Sequence, residues 1–262
     1  MHTGDPSSGG TADEPPGGLT AFLSDIHGNL DALEAVLEDM EDFSVTRVFC
    51  LGDVVGYGPC PGACVKRIRA LCQETVLGNH ELMMLMLAWR TLSDVGTELT
   101  PSLRLALKEL DRDDINWVSA RPLDGEIDDF CIVHSTYYQP ATFHYIMDFE
   151  DAESCLENQP GRLSFHGHTH VPVIWEKGGG DVHGIHPDDT PYLLKEGKQY
   201  TINVGSVGQP RDGDPRAAYC LFNPADRSIV HRRVTYDIAW AQERFRQANM
   251  RPFDIQRIAL GD

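Results

Sequence analysis

The sequence predicts an α/β fold, and three observations carry that expectation. Short apolar runs end three times in polar, metal-ligating residues, each time at a point where helical spacing or a turn takes over, which is the βα rhythm of a layered α/β domain. The stretch Ser164-Phe165-His166-Gly167-His168-Thr169-His170 puts three histidines at the end of a further short apolar segment, with a glycine to relieve the turn. Beyond Phe130 the chain becomes rich in alternating apolar strands. A chain of 262 residues is long enough to bury a full core as one large α/β domain.

The elements follow in order. Residues 19–23 form a compact apolar strand that ends in Ser24-Asp25-Ile26-His27-Gly28-Asn29. A helix then carries Leu30, Leu33, Val36, Leu37 and Met40 at helical spacing. Asp25 and His27 stand where strand becomes helix, and two residues apart in an extended segment they are expected to face one side. Residues 45–51 are the second strand, closed by Gly52-Asp53, and a helix around Cys64, Ile68 and Leu71 returns the chain. Residues 74–77 are a third short strand, closed by Gly78-Asn79-His80-Glu81. Residues 82–89 (LMMLMLAW) are apolar around most of a helix circumference, so this helix is expected to be buried. A subunit contact is the second reading, and a homo-oligomer is expected from it. Residues 103–117 read as one amphipathic surface helix.

In the second half, residues 130–133 form an apolar strand ending at His134, and residues 163–165 lead into the histidine stretch. Residues 178–189 read as a flexible insertion whose His183 and His186 are solvated. Strands at 200–204, 217–222 and 229–234 follow, and the tail beyond Asp237 reads as a helix around Trp240 and Phe245.

Composition narrows the function. The chain has 22 basic against 40 acidic residues and a net charge of -18, which disfavours a broad nucleic-acid or anionic-membrane surface. No apolar run approaches membrane-spanning length, so no membrane partner is expected. Residues 1–18, rich in Gly, Pro, Ser, Thr and acids, read as a disordered tail without the features of a secretory signal, and residues 19–262 as a single domain. Seven cysteines at no disulfide-framework spacing fit a reducing cytoplasm. Cys60 and Cys64, with no second pair near them, are read as reduced.

The chelating residues together resemble the calcineurin-like metallophosphoesterases, and in particular their small bacterial-type phosphodiesterase branch. The pattern Asp-x-His, Gly-Asp, Gly-Asn-His-Asp/Glu, a lone His and Gly-His-x-His stands here as Asp25-Ile26-His27, Gly52-Asp53, Gly78-Asn79-His80-Glu81, His134 and Gly167-His168-Thr169-His170. Further likeness runs through residues 203–216 (NVGSVGQPRDGDPR). The resemblance implies two packed mixed β-sheets flanked by helices, and a pair of divalent metal ions. One ion would be held by Asp25, His27, Asp53 and His170, the other by Asp53, Asn79, His134 and His168, with Asp53 shared. Imidazole, carboxylate and amide donors together suit Mn, Fe or Zn better than Mg. The activity implied is hydrolysis of small phosphodiesters, nucleotides among the candidates, by water activated at the metals. A dinucleoside-polyphosphate hydrolase or phosphomonoesterase is the alternative, and a non-catalytic scaffold of the same fold is the rival from another class.

His80 adjoins a ligand without being assigned as one. It is the candidate for steadying the transition state or protonating the leaving oxygen, with Glu81 to orient it or simply to begin a helix. Asn79 and Arg211 are candidate substrate contacts, Arg211 with a turn or surface role as the alternative. Protein Ser/Thr phosphatases of the family add arginines in a GDxVDRG block and before GNH. This chain has Gly52-Asp53-Val54-Val55-Gly56-Tyr57-Gly58 and Val76-Leu77-Gly78 there, which favours a small substrate. Ser135 stands where many relatives have glycine, followed by Tyr137 and Tyr138, for which packing is expected ahead of base stacking.

Overall fold

A computed structural model describes residues 18–89, 100–127 and 129–262. The tail read at residues 1–18 lies outside the described residues, apart from Gly18. The first half runs β1 (Leu19–Leu23), α1 (Leu30–Glu41), β2 (Val45–Cys50), α2 (Pro61–Leu71), β3 (Glu74–Thr75), α3 (Asn79–Trp89), α4 (Pro101–Glu109) and α5 (Arg112–Ser119). The second half runs β4 (Asp124–Ile127), β5 (Phe130–Val133), α6 (Phe149–Asn158), β6 (Leu163–His166), β7 (Val173–Gly178), β8 (Asp181–Ile185) and β9 (Tyr192–Leu193). It ends with β10 (Gln199–Asn203), β11 (Ala217–Asn223), β12 (Ser228–Val234), α7 (Ile238–Gln247) and α8 (Pro252–Leu260).

The strands form two mixed six-stranded sheets, in the orders β3-β2-β1-β11-β12-β9 and β4-β5-β6-β10-β7-β8. In the first, β1, β2 and β3 are parallel, and β11 joins β1 antiparallel. In the second, β5, β6 and β10 are parallel. Strand alternation explains the layering. In β1, Ala21 and Leu23 face α1, α2 and their neighbours, whereas Phe22 faces the opposite sheet. Phe22 stacks on Phe165 of that sheet at 3.8 Å between ring centroids; Phe49 also stacks on Phe22, Phe130 meets the pair edge-on and Phe222 meets Phe165 tilted. A strand buried on both faces reads as the continuous apolar run seen at residues 19–23.

The sandwich of two mixed sheets flanked by helices is the architecture expected. Four local expectations are corrected. Helix α3 is not buried all round: Met83, Met86 and Trp89 are 39%, 45% and 65% exposed, while Met84, Leu85 and Leu87 enter the core. These three exposed residues lie three apart, so they form one stripe on the outer side of the helix. The segment at 103–117 is two helices, because Leu110 is extended and the Asp111 carboxylate accepts the backbone N–H of Asp113 and Asp114 to start α5. Residues 178–189 are largely a hairpin, with β8 pairing antiparallel to β7 through Gly179 and Gly180, although His183 and His186 are exposed as expected. The tail is likewise two helices, α7 and α8, and β4 and β9 are edge strands that the apolar pattern did not mark.

Candidate metal centre

The chelating residues sit beyond the carboxyl ends of parallel strands from both sheets. Asp25 and His27 follow β1, Asp53 follows β2, and Asn79 and His80 open α3 after β3. His134 follows β5, and His168 and His170 follow β6. Asp25 and His27 do not meet by strand alternation, as the sequence reading supposed. Both have positive φ, 53° and 49°, and so do Asp53, His168 and His170, at 52°, 68° and 62°. Left-handed backbone at non-glycine residues is uncommon and costs of order 1–3 kcal/mol each. It folds each loop tightly enough to aim side chains at one point.

Three groups of donor atoms lie within 4.8 Å of one another: Asp25, His27 and His170; His27, Asp53 and His80; and Asp53, His134 and His168, all buried. Backbone carbonyls set the imidazole tautomers. Nδ1 of His27 donates to Val55 O at 3.0 Å, and Nδ1 of His170 donates to Gln209 O at 2.6 Å. Their Nε2 atoms are therefore lone pairs, and they face each other at 3.1 Å. His134 Nδ1 donates to Leu51 O at 2.7 Å and His168 Nε2 to Phe143 O at 2.9 Å. That leaves His134 Nε2 and His168 Nδ1 face to face at 3.1 Å, with Asn79 Oδ1 3.2 Å from the former. Lone pairs opposed in a buried site repel unless a cation lies between them.

The carboxylates fit the same cation. Asp25 Oδ2 accepts the His168 N–H at 2.9 Å, and Asp25 Oδ1 is buried without a hydrogen-bond partner, 3.2 Å from His170 Nε2. Asp53 Oδ1 accepts the His80 N–H at 2.9 Å, and its Oδ2 lies 3.8 Å from His27 Nε2 and 3.3 Å from His134 Nε2. Bonds of about 2.0–2.2 Å from one divalent ion would separate neighbouring donors by roughly 3.0–3.6 Å at right or tetrahedral angles. All the observed separations but that of 3.8 Å between Asp53 Oδ2 and His27 Nε2 fall in this range, so the donors present fit a metal. Asp53 stands between the His27 and His134 sides, in the position to serve both.

The electrostatics also call for a cation. Burial alone would raise Asp25 and Asp53, but His170 for the first and His134 for the second outweigh it and hold both carboxyls below their ordinary range. His134 is pushed up to about 10: burial opposes its charge, and Asp53 overrides that. A divalent ion would bind at the same Nε2 in exchange for that proton, which frees the lone pair. Burial depresses His27, and depresses His168 to about 4, keeping those imidazoles as neutral donors.

Several residues brace this arrangement. Glu81 does not orient His80. Its carboxylate accepts the N–H of Asp53 at 2.8 Å, of Val55 at 2.9 Å and of Gly78 at 3.1 Å, clamping the Asp53 loop to α3. Burial first and then the Asp53 charge raise its pKa to about 7, against those N–H donors. Asn203 Nδ2 donates to Gly167 O at 2.6 Å and Thr169 Oγ1 at 2.9 Å, and Ser206 Oγ donates to Asp25 O at 2.8 Å. Gly167 is required by close approach, since a Cβ there would lie 2.0 Å from Ser24 Oγ and 2.3 Å from Asp25 Oδ2. Apart from Arg211, the NVGSVGQPRDG run carried likeness but no assigned role, and Asn203 and Ser206 supply this bracing.

His80 is buried, with Nδ1 unpartnered and its ring 4.8 Å from that of His27. Gly56, at φ +97°, makes room for it, because a Cβ there would meet His80 Nδ1 at 2.2 Å. Tyr57, not singled out in the sequence, places its ring 4.6 Å from both His27 and His80. Tyr145, also missed, stacks on His168 at 4.0 Å. Arg211 lies at the edge of the site, its N–H donating to His170 O at 3.2 Å. His166 belongs to none of the three donor groups and is buried in β6, and burial depresses its pKa to about 3. Tyr137 is a packing residue whose hydroxyl donates to Ile132 O at 2.9 Å, with Gly125 O at 3.1 Å as the alternative acceptor, and Tyr138 is exposed.

This fold and donor set define a metal-dependent phosphoesterase. Residues 19–227 match the model of the calcineurin-like phosphoesterase superfamily domain, and the chain belongs to that superfamily. An uncharacterized protein of Methanocaldococcus jannaschii is 34% identical over 247 residues, covering 93% of this chain and 98% of the relative. The crystal structure of a metallophosphoesterase from Sphaerobacter thermophilus superposes with a TM-score of 0.82 at 32% identity, covering 94% of this chain and 100% of that one. A symmetrical bis(5'-nucleosyl)-tetraphosphatase of Chromohalobacter salexigens is 35% identical over 118 residues, 42% of each chain.

Proposed function

We propose that the protein hydrolyses small phosphodiesters, nucleotide-derived esters among them, using two divalent ions held on either side of Asp53. The observation that carries this reading is the pair of opposed imidazole lone pairs, His27 with His170 and His134 with His168, which converge beside the two Asp53-facing edges. On this reading Asp25, His27, Asp53 and His170 hold one ion, and Asp53, Asn79, His134 and His168 the other. Manganese, iron and zinc all suit this donor set.

A bound divalent ion supplies Lewis acidity toward phosphoryl oxygens and lowers the pKa of water. The chain's own residues supply the rest. Asp25 and Asp53 each commit one oxygen to a backbone N–H of a neighbouring loop, which fixes the direction of the other. Asn79 presents its amide at the entrance of α3, where it can also meet a phosphoryl oxygen. The His80 imidazole, packed against Tyr57 and His27, hydrogen-bonds a phosphoryl oxygen or hands a proton to the leaving oxygen. The cytoplasm is the proposed compartment, since seven cysteines at no disulfide spacing suit a reducing environment. Among the described residues no helix is long and apolar enough to cross a membrane.

Hydrolysis of dinucleoside polyphosphates is the second reading, favoured by the stretch shared with the tetraphosphatase of Chromohalobacter salexigens. The test is a panel of aryl diesters, cyclic nucleotides, mononucleotides and dinucleoside polyphosphates, assayed on protein stripped by a chelator and reconstituted separately with Mn, Fe or Zn. Turnover should vanish on stripping and return with metal. Undiminished turnover by demonstrably metal-free protein would overturn the reading.

A further inference from the structure

A cavity of about 160 Å³ adjoins the metal centre, and two separate segments of the chain run from one into the other. Thr169, the residue between His168 and His170, forms one wall together with Val171. Consecutive Cα atoms lie about 3.8 Å apart, so this wall stands one residue from two of the metal-site histidines. Tyr145, whose ring stacks on that of His168 at 4.0 Å, leads directly into Ile146 and Met147, which form a second wall.

The floor is built by the second sheet. Val173 and Trp175, two apart on β7, share a face and line the cavity. Trp175 is paired with Gly184 of β8, and a Cβ on Gly184 would come 2.8 Å from the indole Cζ3. Glycine at that position lets the indole lie across the neighbouring strand. Ile146 and Trp175 also pack in the apolar cluster that includes Ala152 and Cys155 of α6, which holds the floor in place. Met147 is 69% exposed, with its N–H donating to Asp151 Oδ2 of α6 at 3.0 Å. Its flexible thioether suits a flat ring lying against it.

One polar feature breaks the apolar lining: Nε1 of Trp175 is buried without a hydrogen-bond partner. A buried N–H left without an acceptor is costly, and a ligand that brings one removes the cost. A cavity of about 150 Å³ with apolar walls is large enough to take up benzene, so this one has room for a six-membered ring. We propose that the cavity holds the nucleobase of the substrate while its phosphoryl group lies at the metals. This rests on the phosphoesterase reading above and deepens it, selecting nucleotide esters over plain alkyl or aryl diesters. A nucleobase offers both things the cavity asks for, a flat ring for the apolar walls and a ring nitrogen or carbonyl oxygen to accept the Trp175 N–H. A hydrocarbon ring offers only the first. The sugar then spans the interval beside Thr169 and Tyr145.

Two measurements test it. On metal-reconstituted enzyme, kcat/KM for thymidine 5'-(4-nitrophenyl phosphate) is compared with that for methyl 4-nitrophenyl phosphate. Both release the same nitrophenolate, so their ratio isolates the contribution of the base-bearing group. The ratio should fall about tenfold or more in Val173→Phe, which fills the cavity. It should fall about fivefold in Trp175→Phe, which keeps an aromatic ring and loses one hydrogen bond. Met147→Trp, which changes an exposed residue, closes the mouth should the other variants fail to fold. Separately, saturation-transfer NMR with thymidine on chelator-treated wild type should show transfer to the base protons, lost in Val173→Phe. Thymidine carries no phosphate, so this signal depends on neither metal nor turnover. An unchanged ratio in the filled variants, or no saturation transfer to the wild type, overturns the cavity as a substrate site. A ratio that falls in Val173→Phe but not in Trp175→Phe overturns the nucleobase in favour of a plain apolar group. No turnover of either ester by the wild type overturns the phosphoesterase reading instead, and saturation transfer then decides the cavity alone.

Discussion

Glu81 offers the sharpest test of how this site is held. If it merely began α3 as a dipole-favouring acid, its removal would cost about 0.3–1 kcal/mol. The structure gives it three buried backbone donors instead, from Asp53, Val55 and Gly78. An orphaned buried N–H costs about 1–3 kcal/mol, so Glu81→Ala should lose at least about 3 kcal/mol, a large share of the roughly 5–15 kcal/mol that holds a domain together. Glu81→Gln is the more informative variant. Its amide oxygen can take the Asp53 and Gly78 N–H groups, but its NH2 then faces the Val55 N–H, donor against donor. One such clash should cost about 1–3 kcal/mol. Loosening the Asp53 loop should also weaken metal binding about 10–100-fold, the usual effect of losing a group that orients a ligand. Urea unfolding and competition against a metal-binding dye read the two effects separately. Wild-type unfolding midpoint and wild-type metal affinity in Glu81→Gln would refute the clamp.

Asp53→Asn should lower bound metal on both sides of the site, and elemental analysis still finding two ions per chain at wild-type affinity would remove Asp53 from the shared position. His80→Ala should keep the metals and lose turnover by about 10²–10⁴. The loss should be smaller for a nitrophenyl ester than for an alkyl ester if His80 is an acid, and equal if it stabilises charge; loss of metal would make it a ligand. Glu176, far from the site, accepts from Tyr192 at 2.7 Å and Tyr200 at 2.9 Å, and pairs with Lys195 and Lys198. Burial opposes its charge, but these partners outweigh it and hold its pKa down to about 2. A depressed carboxyl contributes stability above its unfolded pKa and loses it as pH falls toward the folded one. Glu176→Gln should therefore be destabilised most at neutral pH, with the gap to wild type closing between about pH 4.5 and 2 in thermal melts; a pH-independent gap would contradict the assignment.

The chelating residues were legible because chemistry restricts them: few positions tolerate a buried Asp or His, and six such side chains with Asn79 at successive strand ends leave little room for another meaning. The strands were legible where both faces are buried, as in β1 and β5. What the one-dimensional pattern hid was set by tertiary contact. Helix α3 looks uniformly apolar, yet only packing decides that Met84 and Leu87 face the core while Met83 and Met86 do not. The break between α4 and α5 rests on a single capping side chain, Asp111. Tyr57 and Tyr145 carry no motif, and they reach the site only because loops distant in sequence fold against it. Glu81 was visible as a motif residue, but its partners were not.

The positive-φ ligands explain why so much of the chain surrounds the site. In an extended segment, residues two apart lie about 6.6–6.8 Å apart with parallel side chains, so they bracket a wide target. Turning Asp25, His27, Asp53, His168 and His170 into left-handed backbone brings the donor atoms together, at an energetic cost repeated five times. The loops offset that cost by fastening one another. His27 N donates to Asp53 O at 2.9 Å, Asp25 N to Gly52 O at 3.1 Å and Gly28 N to Val54 O at 2.8 Å, which sews the first loop to the second. Gly208 N donates to Asp25 O at 2.9 Å and Val207 N to Ser24 O at 3.0 Å, which sews the first to the segment after β10. Strained loops cross-linked in this way cannot relax singly. The convergence of lone pairs is therefore a property of the backbone as a whole, and a cation entering the site meets donors already in place.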